Sequence, residues 1–406
     1  MSKIGNNKIA LGLITRYLDD PAPILRFVDN AEKFGHPLDR VIVAYSHGVD
    51  PKTVAAIEKS IRMTVVNASG DANLRGRLLS TGLSVDEVDG LLDVPGWPLH
   101  QEVPYGAYRN AVLIEALLGG LDYLLFFDTD IRPAVLTALR GDAPVWQEID
   151  FVGTHLASLS EADVAVTTSE YSGYYIIPPM SFDGLGDLLF GLGKGMALEY
   201  VEDCHAHGCL NLGPASPGLP APTVKPLGGN LGISLDKPRR LAPFFSTIYT
   251  TLGICIMGRG EDTLLGQALS DFDGRMIDVD LLLFHDTYND FPRAPDIRRK
   301  SVRDRFYRAC LGWIGRNPFM TWYLDRLGRL ETSSKAEINQ QKLGLIAGGE
   351  RAAQYLDDPR FAKLPLAFED SYSALPQAID RYQRLMNGWE ALLAALAPEI
   401  APRDDD

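Results

Sequence analysis

Two carboxylates one residue apart, Asp128-Thr129-Asp130, follow the apolar run YLLFF at 123–127. Both can reach one ligand held at the end of that strand. A hard divalent cation such as Mn²⁺ or Mg²⁺ takes carboxylate and diphosphate oxygens, and there it neutralises charge growing on a departing diphosphate. The spacing recurs at Asp271-Phe272-Asp273 and Asp278-Val279-Asp280. The motif alone therefore also fits a solvated turn, and the apolar strand before Asp128 is what singles this copy out.

Four further groups could join such chemistry. Gly258-Arg259-Gly260-Glu261-Asp262 opens a helical pattern, TLLGQAL. Its acids can cap the helix, or Asp262 can take a proton from an attacking hydroxyl. His285 closes an apolar run, as a structural imidazole or as a metal ligand beside Asp130. Arg109, in Tyr108-Arg109-Asn110-Ala111, could reach a diphosphate or orient the carboxylates. Gly228-Gly229-Asn230 precedes the strand-like LGISL and suits close backbone approach to a ligand, or a plain turn.

Two other motifs carry less. Cys204-His205-Ala206-His207-Gly208-Cys209 holds four potential ligands, but at no common zinc spacing. It reads as a helix end. Gly191-Leu192-Gly193-Lys194-Gly195 lacks the Walker spacing and the following Ser or Thr. It reads as a turn.

The elements that must position these groups alternate. Apolar runs at 8–14, 40–45, 63–67 and 123–127 read as strands, and 21–34, 51–61 and 108–118 have helical spacing. Residues 68–100 look irregular. Strand-like runs follow at 151–153, 174–177 and 231–235, with a Gly/Pro-rich loop at 208–228, a helix at 261–270 and a strand at 276–284. This rhythm predicts an α/β fold with a mostly parallel sheet and helices on both faces. Ligands bind such sheets beyond the strands' carboxyl ends, where Thr15-Arg16, Tyr45-Ser46-His47 and Asp128-Thr129-Asp130 fall. After about 295 the pattern turns helical, at 302–313, 319–330, 336–355 and 373–396.

Composition bounds the function. The 406 residues carry a net charge of −14, with 46% hydrophobic residues. So acidic a chain is a poor general nucleic-acid binder, and no nucleic-acid partner is expected. Four cysteines cannot form a disulfide framework, so a reducing compartment is expected. No targeting segment or run of 18 apolar residues is visible, and the expected location is the cytoplasm. Residues 293–329 hold ten Lys or Arg and three Asp, interleaved with Trp313, Phe319, Met320, Trp322 and Tyr323. Two readings stay open: peripheral contact with the anionic inner face of a membrane, or arginines packed onto the acidic remainder of the chain.

The order of these pieces resembles the GT-A fold of nucleotide-sugar-dependent glycosyltransferases, in its family-2-like and galactosyltransferase-like branches, over residues 8–290. The resemblance implies a GT-A catalytic domain at 1–292, with a nucleotide-binding half at 1–130, an acceptor-binding half at 131–292, and a helical C-terminal extension at 293–406. It implies that Thr15, Arg16, Tyr45, Arg109 and Asp128 contact the nucleotide sugar. Asp130 and His285 would bind Mn²⁺ or Mg²⁺. Glu261, Gly229 and Asn230 would hold the acceptor, and Asp262 would be the base of an inverting transfer. The donor would be UDP- or GDP-linked, and the acceptor a saccharide or glycoconjugate. Met257-Gly258-Arg259 stands where that family often has an aromatic residue. A retaining transferase and a non-catalytic carbohydrate-binding scaffold on the same fold are the alternatives. The oligomeric state is not readable.

Overall fold

The computed structural model describes residues 7–93, 103–141, 143–208, 210–330 and 335–396. Its centre is an eight-stranded sheet. In chain order its strands are β1 (Ile9–Ile14), β2 (Arg40–Tyr45), β3 (Met63–Asn67), β4 (Tyr123–Phe127), β5 (Val164–Thr168), β6 (Ala221–Pro222), β7 (Asn230–Ser234) and β8 (Arg275–Asp278). In space they run β6-β8-β5-β7-β4-β1-β2-β3. The pairs β1–β2, β1–β4, β2–β3 and β5–β8 are parallel, and β7 lies antiparallel between β4 and β5. The interior strands are apolar on both sides because two separate cores cover the two faces. The chain leaves β1 for β2 on one side and later returns to β4 on the other. The switch point between β1 and β4 is where such a sheet opens a crevice, and Asp128 follows β4 directly.

A smaller sheet crosses that crevice. Its order is Leu210–Asn211, Tyr171–Tyr174, Leu283–His285, Ile131–Arg132. The expected strand at 276–284 is therefore two strands in two sheets. The break falls at Asp280, whose φ is +50°. It lets His285 pair opposite Ile131, one residue from Asp130.

Other elements differ from the sequence pattern for identifiable reasons. Residues 151–159 form a helix, not a strand, because Asp150 caps it by accepting from the Gly153 amide at 2.7 Å. The irregular stretch contains two helices, Ala72–Ser80 capped by Asp71, and Val85–Leu92 opened by a Ser84/Glu87 capping box. Residues 94–102 lie outside the described part. The expected helices at 302–313 and 319–330 are one helix, Lys300–Arg326, running through Pro318. Interior proline costs about 3 kcal/mol, and burial of Trp313, Ile314, Phe319 and Tyr323 on both sides of it offsets that cost. The expected helix at 373–396 begins at Leu375, after a separate helix Leu364–Ser373.

Most of the C-terminal helices share a third core with the helix Leu185–Gly191 (Phe306, Leu311, Leu345 and Phe361 against Leu185 and Leu188), and the last helix packs on the sheet. Tyr382, Leu385 and Trp389 join the core on one face of the central sheet, and Trp389 Nε1 donates to Leu241 O at 2.8 Å. Gly388 and Gly90 let two helices touch backbone to backbone: an added Cβ would lie 2.4 Å from Glu87 O and from Arg384 O, respectively. No described helix is long and apolar enough to cross a membrane.

Candidate active site

The crevice beyond β4 is built around Arg109, on the helix Tyr105–Leu118. Its guanidinium is buried and makes three contacts. Nε donates to Glu261 Oε1 at 3.0 Å, Nη1 to Gly228 O at 2.8 Å, and Nη2 to Asp128 Oδ1 at 3.4 Å. The Phe126 and Phe244 rings flank it, at 5.1 and 5.8 Å. Taking this cation out of water opposes its charge, but Asp128, Glu261 and Asp262 reverse the balance and raise its pKa. The geometry sets Arg109 against the Asp128 and Glu261 carboxylates.

Asp128 has its pKa raised by burial, with Arg109 pulling it down and Asp130 pushing it up. Gly229 is needed beside it: an added Cβ would lie 2.6 Å from Asp128 Oδ2 and 2.5 Å from Ile131 Cδ1. Asp130 lies on the other side of the turn. Its Oδ2 is 3.2 Å from His285 Nε2 and 3.2 Å from Arg305 Nη2. Burial works against its ionisation, but His285 and Arg305 outweigh burial and bring the carboxyl down to about 2.

Among the described residues no three His, Cys, Asp or Glu cluster as a metal cage. Asp130 and His285 alone are nevertheless a fitting pair. Neighbouring ligands on an octahedral cation with bonds of about 2.1 Å lie about 3.0 Å apart, close to the 3.2 Å seen here. Such a cation would take its other ligands from substrate oxygens and water.

Asp262 sits across the Gly-Gly turn. Its Oδ2 accepts from the Gly228 amide at 3.0 Å and its Oδ1 from the Thr263 amide at 2.7 Å. The side chain anchors its own helix start and is half-buried. Two cations stand near it. Arg316 Nη1 lies 3.4 Å from Thr263 Oγ1, and its Nε is buried with no hydrogen-bond partner among the described residues. Lys194 lies over the Trp313 ring at 4.9 Å. Burial lowers its pKa to about 8, helped by Arg316 and opposed by Asp262. Neither cation forms a salt bridge within the described residues. Tyr171, 4.8 Å from the His285 ring, completes the wall. Burial raises its phenol pKa well above the usual range, as do the charges of Asp128 and Asp262.

The nucleotide side is more open. Thr15 Oγ1 donates to Tyr17 O at 2.8 Å, and the His47 amide donates to Arg16 O at 2.9 Å. The second contact joins the ends of β1 and β2. Tyr45 ends β2 opposite Asn67, and Tyr108 donates its hydroxyl to Ser46. Beside Asn67 a cavity of about 240 Å³ opens, lined by Ser69, Asp71, Arg75, Asp89 and Ala111 among others. It lies at the carboxyl end of β3, two strands from β1 and away from Asp128.

Two residues expected to touch an acceptor are committed inside the fold. Asn230 is fully buried. Its Oδ1 meets His155 Nε2 at 3.0 Å, and its Nδ2 lies 2.8 Å from Leu281 O, 3.3 Å from Glu170 O and 3.4 Å from Ser169 O. Glu261 is buried against Arg109, and its carboxyl pKa is raised by burial and by Asp262, with Arg109 opposing. Both are packed against partners inside the fold. Their polar types gave no sign of this, because burial is a property of the packed chain.

Arg305, Arg316, Lys194 and Tyr171 were missed. Arg305 and Arg316 were visible only as members of the basic segment. Its arginines pair inward (Arg303 with Asp358, Arg329 with Asp271, Arg299 with Asp290), and Trp313, Phe319 and Tyr323 are buried. Arg329–Asp271 and Arg305–Asp130 reach the body of the protein, whereas Arg303–Asp358 lies within the C-terminal helices. Lys194 does stand in a turn after the helix Leu185–Gly191. Cys209 lies outside the described residues, and Cys204 is buried in its helix.

No protein-family model matches the chain, and no curated protein matches it. Solved structures do resemble it loosely. One titled only as a mycobacterial protein has 16% identity and a TM-score of 0.36, covering 77% of this chain and 75% of its own. Glucosyl-3-phosphoglycerate synthase from Mycobacterium tuberculosis, solved with Mn²⁺, UDP and glucosyl-3-phosphoglycerate, has 16% identity and a TM-score of 0.34, covering 81% and 83%. The same enzyme with Mn²⁺, UDP-glucose and glycerol 3-phosphate gives the same values. The functional reading below rests on the geometry of the crevice.

Proposed function

We propose that the protein is a metal-dependent glycosyltransferase that moves a sugar from a nucleotide-diphosphate donor to a hydroxyl of an acceptor. The observation that carries this reading is the convergence at one strand-end crevice of Asp128, Asp130 and His285 on one side and Asp262 on the other. Arg109 and the Gly228-Gly229 turn join the two sides.

In this reading the ends of β1 and β2 (Thr15, Arg16, Tyr45) border the nucleotide. Asp128, set by Arg109, contacts the donor sugar or ribose. Asp130 and His285 hold Mn²⁺ or Mg²⁺, which when bound offsets the negative charge of the leaving diphosphate. Asp262 accepts the proton of the acceptor hydroxyl as its oxygen attacks the anomeric carbon, which inverts that carbon. Arg316 and Lys194 stand near Asp262 but form no salt bridge among the described residues, so the acceptor side suits a sugar or glycoconjugate that carries negative charge. Tyr171 and His285 close the wall and limit water.

Thermal unfolding with UDP, GDP, CDP and dTDP, each with and without Mn²⁺, tests the reading, because a ligand of the native state raises the midpoint. A metal-dependent rise with one nucleotide, lost in Asp130→Ala, is expected and names the donor. No rise with any nucleotide refutes a transferase and leaves a carbohydrate-binding scaffold. Proton NMR of the first product separates inversion from retention.

A further inference from the structure

Arg305 stands on the helix Lys300–Arg326, 175 residues from Asp130 in sequence. It shares a single carboxylate oxygen with His285: both approach Asp130 Oδ2 at 3.2 Å. A divalent cation bound by Asp130 and His285 needs that same oxygen. A guanidinium on that oxygen would stand within a few ångströms of the cation, and their repulsion favours its turning away when the cation arrives.

The rest of the side chain shows where it can go. Its Nε is buried without a hydrogen-bond partner among the described residues, and the side chain is still 32% exposed. Its Cζ lies 6.0 Å from the Tyr288 ring, whose hydroxyl is fixed by donation to Ile176 O at 2.6 Å. Arg305 is thus held at the mouth of the crevice by one salt bridge and has donors unspent. Of the other cations near the crevice, Arg109 is spent on Glu261, Gly228 and Asp128, and Arg316 and Lys194 stand by Asp262. A diphosphate entering beside Asp128 and Asp130 meets the repulsion of both carboxylates.

We propose that Arg305 is a diphosphate-binding residue: it holds Asp130 while the cation position is empty, yields that oxygen to the cation, and turns its planar fork onto the diphosphate. This rests on the transferase reading for the identity of the anion. The displacement itself does not.

Mn²⁺ alone, then UDP, GDP and inorganic pyrophosphate at saturating Mn²⁺, are titrated calorimetrically into wild type, Arg305→Met and Arg305→Lys. The methionine keeps the apolar contact with Tyr288. Arg305→Met should bind Mn²⁺ alone about 3- to 10-fold more tightly, because a competing charge is gone. It should bind pyrophosphate and the wild-type's preferred diphosphate about 10- to 100-fold more weakly. Arg305→Lys should restore part of the anion affinity, and UMP or GMP affinity should hardly change.

A loss of both metal and diphosphate affinity in Arg305→Met, with matching loss of thermal stability, would make Arg305 structural and overturn the proposal. Unchanged diphosphate affinity would overturn it too, leaving the transferase reading intact. If wild type binds neither nucleotide nor pyrophosphate at any Mn²⁺ concentration, that reading and the anion role fall together. The Mn²⁺ titration then still shows whether Arg305 competes for Asp130.

Discussion

Asp128-Thr129-Asp130 and Asp278-Val279-Asp280 are the same motif at the ends of two strands of one sheet, and they meet different fates. The first follows interior strand β4, where a buried arginine, a histidine from the second sheet and an arginine from the C-terminal helix converge. The second closes β8, next to the sheet's edge. There Asp278 Oδ1 accepts from the Asp280 amide at 2.8 Å, a local turn with Asp280 at φ +50°. No salt bridge reaches either of them among the described residues, and Asp280 packs on Gly218. The third copy is different again: Asp271 accepts from the Tyr323 hydroxyl at 2.8 Å and lies 3.9 Å from Arg329, which fastens the C-terminal helix. Two carboxylates at i and i+2 are a chemical possibility, and the cations delivered by distant segments make one copy a site.

Breaking the first copy should give the largest effect. Asp130→Asn should lower transferase activity by on the order of 10³-fold, equivalent to about 4 kcal/mol in the barrier, and abolish the Mn²⁺-dependent rise in melting temperature with nucleotide. Equal loss from Asp278→Asn would erase the contrast between the two motifs.

Next comes the buried cation that ties the site together. Arg109→Met leaves Glu261 and Asp128 facing each other without compensation and should cost about 3–5 kcal/mol of stability in urea unfolding. The double variant with Glu261→Gln should recover much of it, and absence of recovery would show that the pair is not the source.

The Asn230–His155 network under the site can be read through pH. Burial holds His155 neutral, with a pKa lowered to about 4 despite Asn230. In the unfolded chain the imidazole titrates near 6.5, so below that pH the unfolded state takes up a proton first. Stability should therefore fall from about pH 6.5 down to pH 4, by about 3 kcal/mol in all. Unfolding curves across this range should lose that slope in His155→Gln.

Gly229→Ala forces a methyl against Asp128 and Ile131 and should cost about 1–3 kcal/mol, with weaker nucleotide-plus-metal binding. Asp278→Asn keeps the acceptor for the Asp280 amide and should stay within about 0.5 kcal/mol of wild type.

Much of the frame was legible before folding. The runs at 40–45, 63–67 and 123–127 are strands with the expected ends, because each is a short run bounded by turn residues; the runs at 40–45 and 123–127 are buried, and 63–67 is a half-buried edge strand. Asp128, Asp130, His285, Arg109 and Asp262 do meet in one crevice. The differences have more than one cause. Asn230 and Glu261 are internal because their neighbours bury them, the run at 276–284 splits because a sheet change is a tertiary event, and 151–159 is a helix because a local cap outweighs a short apolar run. Arg305, Arg316 and Lys194 carry no local signal, since their partners lie far along the chain.

The sequence by itself determined the alternating α/β rhythm, the apolar strands and the acidic turn after β4, since hydrophobic period and turn chemistry are local. The tertiary structure alone decided which of three Asp-x-Asp turns is surrounded by cations and which polar residues are buried. It also fused the basic C-terminal helix to the crevice. The physical reason is that charge compensation and burial depend on groups brought within a few ångströms by packing, and no spacing along the chain encodes that distance.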